Sequence, residues 1–221
     1  MLKKILIPAI LASNKKQLIE KIDQIEDFVE CIQIDYTDGK FVHSKTEFTS
    51  QDLYKINPQP SVEVHLMCDQ PENIINNWIT AGAEKIIIHV EAKMDWGKII
   101  QIYEENFIKL YLAINPDTPL NKLEDKINNI DGISVMGVDP GKGHQNFQPK
   151  VLSKIKTLRN RYPNLNIQID GGMHLKPKNT IEQALLAGAN EIVCGSEIFI
   201  SNNPIAKIEE LEEYLKHSDK K

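Results

Sequence analysis

Short apolar runs rich in β-branched residues alternate with longer amphipathic stretches along the whole chain. Ile86-Ile87-Ile88 is apolar at every position, which is typical of a parallel strand covered on its outer face. The pattern predicts eight strands, at Ile5–Leu11, Cys31–Tyr36, Ser61–Met67, Lys85–Val90, Lys109–Ile114, Gly132–Met136, Asn166–Asp170 and Glu191–Cys194. It predicts helices between them, at Lys15–Phe28, Pro71–Ala81, Lys98–Asn106, Pro119–Lys126, Pro149–Tyr162, Lys178–Ala187 and Ile205–Lys216.

The spacing of these units is even, and no linker or low-complexity segment interrupts it. Two junctions, Ala81-Gly82-Ala83 and Ala187-Gly188-Ala189, place a glycine just past a predicted helix, where a left-handed residue commonly ends it. The eightfold pattern predicts an α/β fold in one domain, residues 1–221, built as a single (β/α)8 TIM barrel. An open doubly wound sheet is the alternative, because strand order is not readable from the pattern.

Composition narrows the class of protein further. The 221 residues carry a net charge of -5, so no basic surface indicates a nucleic-acid partner. No apolar run approaches the roughly 18 residues of a membrane span, and the start of the chain does not resemble a signal peptide. Three cysteines without CxxC spacing, Cys31, Cys68 and Cys194, favour buried reduced thiols and a cytoplasmic protein. Glu209–Lys221 is charged and is expected to be a solvated helix end and tail.

Polar side chains occur where several predicted strands end, at Gln33, Asp35, Asp38, His65, His89, Glu91 and Asp170. In a (β/α) barrel the chemistry lies at this end of the strands. A buried carboxylate needs a metal ion or a hydrogen-bond donor, and Asp35, His65 and Asp170 could converge on one ion. Taken singly, each aspartate could instead be a turn or cap residue, and the histidine a satisfied core residue.

Glycine-bearing turns follow the last three strands. They are Asp139–Gln145, which contains Gly141-Lys142-Gly143-His144, then Gly171-Gly172 and Gly195-Ser196. Glycine lets backbone N–H groups approach an anion closely, and barrels of this kind commonly hold phosphate after strands seven and eight. Their joint placement predicts a phosphate site.

These segments make the chain resemble the ribulose-phosphate 3-epimerase family. The resemblance is carried, in the order of the family, by Pro8–Leu11, Asp35–Val42, Val64–Met67, Asn115–Pro119, Met136–Gly141, Gln145–Phe147, Asp170–Gly172 and Gly195-Ser196. It implies a barrel of the ribulose-phosphate-binding type and an isomerase that epimerises C3 of D-ribulose 5-phosphate, D-xylulose 5-phosphate or a related ketose phosphate. It also implies a homo-oligomer.

The resemblance assigns roles residue by residue. It implies that Asp35 and Asp170 exchange the C3 proton and, with His65, bind a divalent ion (Zn, Mn, Fe or Co) that stabilises an enediolate. It places Ala9, His65, Met67 and Met136 beside the substrate. It places Gly141, Lys142, Gly143, His144, Gly171, Gly172, Gly195 and Ser196 around the phosphate.

Departures from the family cluster at the expected substrate. Gln33 stands where the family has a fourth metal ligand, a histidine, and it is expected to bind the ion through its amide oxygen, although more weakly than imidazole binds a transition metal. Ala9 and Ala12 replace serines, and Lys142 and His144 replace an apolar residue and a glycine. Lys142 either adds charge to the anion site or is a solvated loop lysine. Two alternatives therefore stay open, a phosphosugar lyase or decarboxylase on the same barrel and a non-catalytic phosphosugar binder.

Overall fold

Eight parallel strands close into a barrel in the computed structural model, which describes residues 2–218. Each strand pairs with the next one along the chain, and the last pairs with the first. The predicted closed barrel is therefore confirmed over the open sheet. The strands are β1 Ile5–Leu11, β2 Cys31–Thr37, β3 Ser61–Met67, β4 Ala83–His89, β5 Lys109–Ile114, β6 Gly132–Met136, β7 Asn166–Asp170 and β8 Glu191–Cys194.

Helices pack around the outside of the barrel and cover the apolar outer faces of the strands. Residues such as Ile32, Ile34 and Ile86 are fully buried between the strands and this helical layer. The α-helices are α1 Lys15–Asp23, α2 Ser50–Ile56, α3 Ile75–Thr80, α4 Trp96–Glu105, α5 Val151–Arg161, α6 Thr180–Ala187, α7 Ser196–Phe199 and α8 Pro204–His217.

Two of the predicted helices divide into a shorter α-helix and a 3-10 turn. The stretch predicted from Lys15 ends as an α-helix at Asp23 and continues as a 3-10 turn at Glu26–Phe28, because Ile25 between them turns fully into the core. Pro71–Ala81 likewise divides into a 3-10 turn, Pro71–Asn73, followed by α3.

The predicted α-helix at Pro119–Lys126 is wrong. Within this stretch the chain forms only one 3-10 turn, Leu120–Leu123, and a second one, Ile127–Asn129, follows directly. The side chains of Leu123 and Ile127 are buried. Helix α2 was not predicted, although Thr49 and Asp52 form a capping box at its start. That spacing of threonine and aspartate is a sequence signal that could have found it.

Strand alternation separates an apolar outer layer from a mixed interior. Inside the barrel the apolar side chains form two small clusters. One contains Ile7, Ala9 and Val193, and the other contains Ile87, Tyr111, Ala113 and Met136. Towards both ends of the barrel the interior contains buried polar side chains. Those of Gln33, Glu63, His65 and Gln168 are all at most 1% exposed. The register places Asp35 opposite His65 and Met136 opposite Asp170, which brings the strand ends to one level.

Two smaller expectations need correction. Cys31 is only half-buried, whereas Cys68 and Cys194 are buried as predicted. The C-terminal segment is less solvated than expected, because Leu211 and Leu215 of α8 pack into the core. The rest of that predicted tail, residues 219–221, lies outside the described residues. Among residues 2–218, no helix combines the length and the apolar character that crossing a membrane requires.

Candidate active site and metal centre

Asp35, His65 and Asp170 converge at the C-terminal mouth of the barrel from β2, β3 and β7. Their candidate ligand atoms all lie within 4.8 Å of one another. His65 Nδ1 is 3.4 Å from Asp35 Oδ1 and 3.4 Å from Asp170 Oδ2. The structure therefore brings together the three side chains that the sequence placed at three separate strand ends.

Gln33 ties the two carboxylates together. Its amide Nε2 donates to Asp35 Oδ1 at 2.8 Å and to Asp170 Oδ2 at 2.9 Å, and the residue is fully buried. Its Oε1 is buried without a hydrogen-bond partner among residues 2–218. The nitrogen rather than the predicted carbonyl oxygen thus faces the carboxylates, and a half-turn of the amide would be needed for Gln33 to act as a ligand.

The electrostatics of this group fit a divalent cation. His65 is 1% exposed, and its Nδ1 has no hydrogen-bond partner in the described part of the chain, although two carboxylates face it. Burial alone would lower the pKa of His65, but Asp170 and Asp35 outweigh it and raise the pKa to about 9. One imidazole nitrogen and two carboxylates are a donor set that first-row divalent metals accept.

A second pair of polar residues lies behind His65 on β4 and the loop after it. His89 Nε2 is 2.8 Å from His65 Nε2, and His89 Nδ1 is 3.3 Å from Glu91 Oε2. Burial lowers the pKa of His89 to about 4, so this ring is neutral at pH 7. The sequence marked both residues as polar strand ends but gave them no role, because only the fold shows that His89 backs His65.

A pocket opens directly above the carboxylates. Its walls include both carboxylates and every residue that the sequence assigned to substrate and phosphate, namely Ala9, Asp35, His65, Met67, Met136, Gly141, Lys142, Gly143, His144, Asp170, Gly171, Gly172, Gly195 and Ser196. Leu11, Val138, Met173 and Val193 also line it and were not anticipated, since apolar residues at strand ends carry no distinguishing sequence signal.

Tight backbone geometry shapes the glycine-lined side of this pocket. Gly172 has a φ of +70°, and a Cβ atom there would lie 2.9 Å from the backbone of Phe147. Gly141 has a φ of +86°, and its Cβ would lie 2.8 Å from Val42. Both positions need the left-handed region and close approach, which glycine alone meets without strain.

The loop between β6 and α5 is held by polar contacts. Gln145 Nε2 donates to the carbonyl oxygens of Asp139 and Lys142 at 2.6 and 2.9 Å, and Ser44 Oγ donates to that of Gly141 at 2.9 Å. His144 adopts a φ of 60°, a left-handed conformation that suits the glycine expected there better than a histidine. Lys142 and His144 are both exposed at the rim of the pocket.

A buried carboxylate–histidine group beneath a glycine-lined pocket, at the C-terminal mouth of a (β/α)8 barrel, defines a barrel enzyme of the phosphate-binding class. The model of the ribulose-phosphate 3 epimerase family matches residues 5–199, and the chain belongs to this family. It is 35% identical to the ribulose-phosphate 3-epimerase of Candida glabrata over 92% of this chain and 89% of that one. The corresponding protein of Synechocystis is 36% identical over 90% and 89%.

Solved structures share the fold at lower identity. The 3-hexulose-6-phosphate synthase of Salmonella typhimurium superposes with a TM-score of 0.72 at 15% identity, covering 97% of this chain and 99% of that one. The orotidine 5'-monophosphate decarboxylase of Sulfolobus solfataricus gives a TM-score of 0.64 at 14% identity, covering 98% and 99%. At this identity the likeness shows the barrel and no particular activity.

Proposed function

We propose that this protein is an isomerase that inverts C3 of a phosphorylated ketose, with D-ribulose 5-phosphate and D-xylulose 5-phosphate as the first substrates to test. The observation that carries the proposal is the pair of carboxylates, Asp35 and Asp170, held within 4.8 Å of each other and of His65 beneath the pocket. Inverting a carbon centre needs a base on one face and an acid on the other. Two carboxylates from non-adjacent strands supply both.

Asp35 and Asp170 then exchange roles according to the direction of the reaction. One carboxylate removes the C3 proton, and the other, already protonated, delivers a proton to the opposite face. Gln33 donates to both carboxylates, at 2.8 and 2.9 Å, and so holds them in place while their protonation changes. The barrel interior beneath them is packed, which keeps bulk water from that side of the reacting carbon.

Asp35, His65 and Asp170 would hold the divalent ion that the family resemblance implies. Once bound, this ion supplies positive charge that stabilises the enediolate formed when the C3 proton leaves. Zn, Mn, Fe and Co all accept this mixed nitrogen and oxygen donor set. In the orientation described, Gln33 donates to both carboxylates and does not act as a fourth ligand.

The phosphate of the substrate would bind at the glycine-lined side of the pocket. Support comes from the left-handed glycines Gly141, Gly171 and Gly172 and from the Gly195-Ser196 turn at the start of α7. Such turns present backbone N–H groups to an anion at short range. Lys142 and His144 at the rim would add side-chain donors, and Ala9, Met67 and Met136 would contact the sugar.

The epimerase is favoured over a lyase or decarboxylase because the relatives at 35–36% identity are named epimerases. The synthase and the decarboxylase share only 14–15% identity with this chain. The homo-oligomer and the cytoplasmic location implied above remain predictions, and light scattering of the purified protein would measure the assembly.

The test is exchange of the C3 hydrogen with deuterated water, followed by proton NMR, in protein supplied with Mn²⁺. The wild type should deuterate C3 of both epimers, and Asp35→Asn and Asp170→Asn should each lose epimerisation by about 10²–10⁴-fold. Asp69→Asn is the matched control, because Asp69 follows β3 at the same barrel end but accepts from the backbone of Lys93 outside the pocket.

Three results would separate the alternatives. Failure of the wild type to exchange C3 with Mn²⁺, Zn²⁺ or Fe²⁺ on any ketose phosphate would overturn the proposal. Thermal stabilisation by ketose phosphates without exchange would identify a binder. Turnover of another phosphosugar that resists a chelator would identify different chemistry on the barrel.

A further inference from the structure

On the side of His65 away from Asp35 and Asp170, a line of hydrogen-bonding atoms runs from His65 to the backbone just after β5. His65 Nε2 and His89 Nε2 lie 2.8 Å apart, and His89 Nδ1 lies 3.3 Å from Glu91 Oε2. Glu91 Oε1 accepts from the backbone N–H of Asn115 at 2.8 Å. The line therefore begins at a buried imidazole and ends at a backbone donor whose direction is fixed.

Hydrogen-bond chemistry sets the direction of every link. An ionised carboxylate accepts only, so Glu91 takes a hydrogen bond from Asn115 on one oxygen and from His89 Nδ1–H on the other. With its proton on Nδ1, neutral His89 has a bare Nε2 and can only accept there. Two ring nitrogens 2.8 Å apart share one proton, which must then belong to His65 Nε2.

The proton on Nε2 determines the state of the other ring nitrogen of His65, Nδ1. With Nε2 committed as a donor, a neutral His65 has a lone pair on Nδ1, the atom that lies 3.4 Å from both Asp35 and Asp170. Both histidine rings are at most 1% exposed, and Phe41 packs on His89 with ring centroids 4.7 Å apart. Water therefore has little access to either ring as a competing partner.

We infer that His89 and Glu91 are positioning residues that fix the tautomer of His65, so that its Nδ1 presents a lone pair to a divalent ion between Asp35 and Asp170. The inference rests on the proposed function only for the presence of that ion. Partners of this kind, which hold a metal-binding histidine from behind, typically change metal affinity by about 10–100-fold when they are removed.

Glu91→Gln is the sharpest test because it keeps the shape but replaces one acceptor with a donor. If the oxygen of the introduced amide accepts from Asn115, its NH₂ group faces His89 Nδ1 and every link reverses. His89 then carries its proton on Nε2, and His65 carries its own on Nδ1, where the ion would bind. If the amide points the other way, the backbone N–H of Asn115 loses its partner.

Zn²⁺ affinity, measured by titration calorimetry without substrate, should fall about 10–100-fold in Glu91→Gln. Glu91→Asp retains a carboxylate and should keep more of the affinity. Glu72→Gln is the matched control, since Glu72 also accepts a backbone N–H, from Asp95, but lies outside this line. In the metal-free protein at alkaline pH, nitrogen-15 NMR should show the proton of His89 moving from Nδ1 to Nε2.

Unchanged Zn²⁺ affinity in Glu91→Gln would overturn the inference. A second pattern would also overturn it. If Glu91→Asp lost as much Zn²⁺ affinity as Glu91→Gln, and the His89 proton stayed on Nδ1 in Glu91→Gln, the loss would come from packing alone. If the wild type binds no metal, the metal-dependent function fails instead. The position of the His89 proton then decides by itself whether the line of hydrogen bonds sets the tautomer.

Discussion

The barrel interior carries a charged cluster at each end, and the two clusters differ in how their charges are matched. At the N-terminal end, Lys85 Nζ lies 2.7 Å from Glu63 and 3.0 Å from Glu191. Tyr111 donates to Glu191 at 2.8 Å and Gln168 to Glu63 at 2.6 Å. A buried cation thus sits between two buried carboxylates, with neutral donors completing the network.

At the C-terminal end, Asp35 and Asp170 also face each other. No lysine of residues 2–218 bridges these two carboxylates in the way that Lys85 bridges Glu63 and Glu191. The partners of Asp35 and Asp170 are the amide of Gln33 and an imidazole whose Nδ1 has no hydrogen-bond partner within the described chain. The N-terminal, or lower, cluster has a lysine as its cation, whereas the positive charge of the C-terminal, or upper, cluster is a proton on His65 that a metal ion can replace. Similar residue types therefore form a closed ion-pair network at the N-terminal end of the barrel and a candidate metal and substrate site at the C-terminal end.

Removing the internal cation should have the largest effect. Lys85→Met leaves Glu63 and Glu191 buried together without a positive charge, which should cost about 3–5 kcal/mol of unfolding free energy. Urea denaturation measures this loss. Metal stoichiometry at the other end should stay unchanged, and an equally or more stable variant would show that the lower cluster does not stabilise the fold.

The upper cluster should instead respond to pH through its metal affinity. With a pKa of about 9, His65 is protonated at pH 7, and an ion must displace that proton to bind. Affinity for Mn²⁺ should therefore rise about tenfold for each pH unit between about pH 6 and 8. Calorimetry in buffers of different ionisation enthalpy would count the released proton, and a flat profile would contradict a bound His65.

A smaller effect is expected from Gln33→His, which gives the upper cluster a second imidazole. Because imidazole is the better donor for Zn²⁺, affinity should increase on the order of tenfold, or about 1.4 kcal/mol. Gln168→His is the matched control, as it places the same group in the lower cluster. An equal gain in both variants would mean that the added histidine binds Zn²⁺ independently of the carboxylate pair.

Most of the barrel could be predicted from the sequence because its strands are short, β-branched and regularly spaced. β1, β3, β5, β6, β7 and β8 begin and end at the predicted residues. The predictions failed where the burial of single apolar side chains outweighed helix periodicity, as at Pro119–Lys126, where 3-10 turns in and just after this stretch are sufficient to bury Leu123 and Ile127. They also failed at β4, which begins two residues early at Ala83, since polar Glu84 between two strand residues hid the true start.

By itself the sequence determined which chemical groups stand at the strand ends, and it indicated that Asp35, His65 and Asp170 could converge on one ion. Strand ends of a closed barrel lie in one ring, so alternation and spacing made this convergence possible, and the structure established it. Only the tertiary structure decided which atom of Gln33 faces the carboxylates and which residue backs His65. Those contacts join β2 to β7 and β3 to β4 and depend on side-chain rotation, about which a linear pattern carries no information.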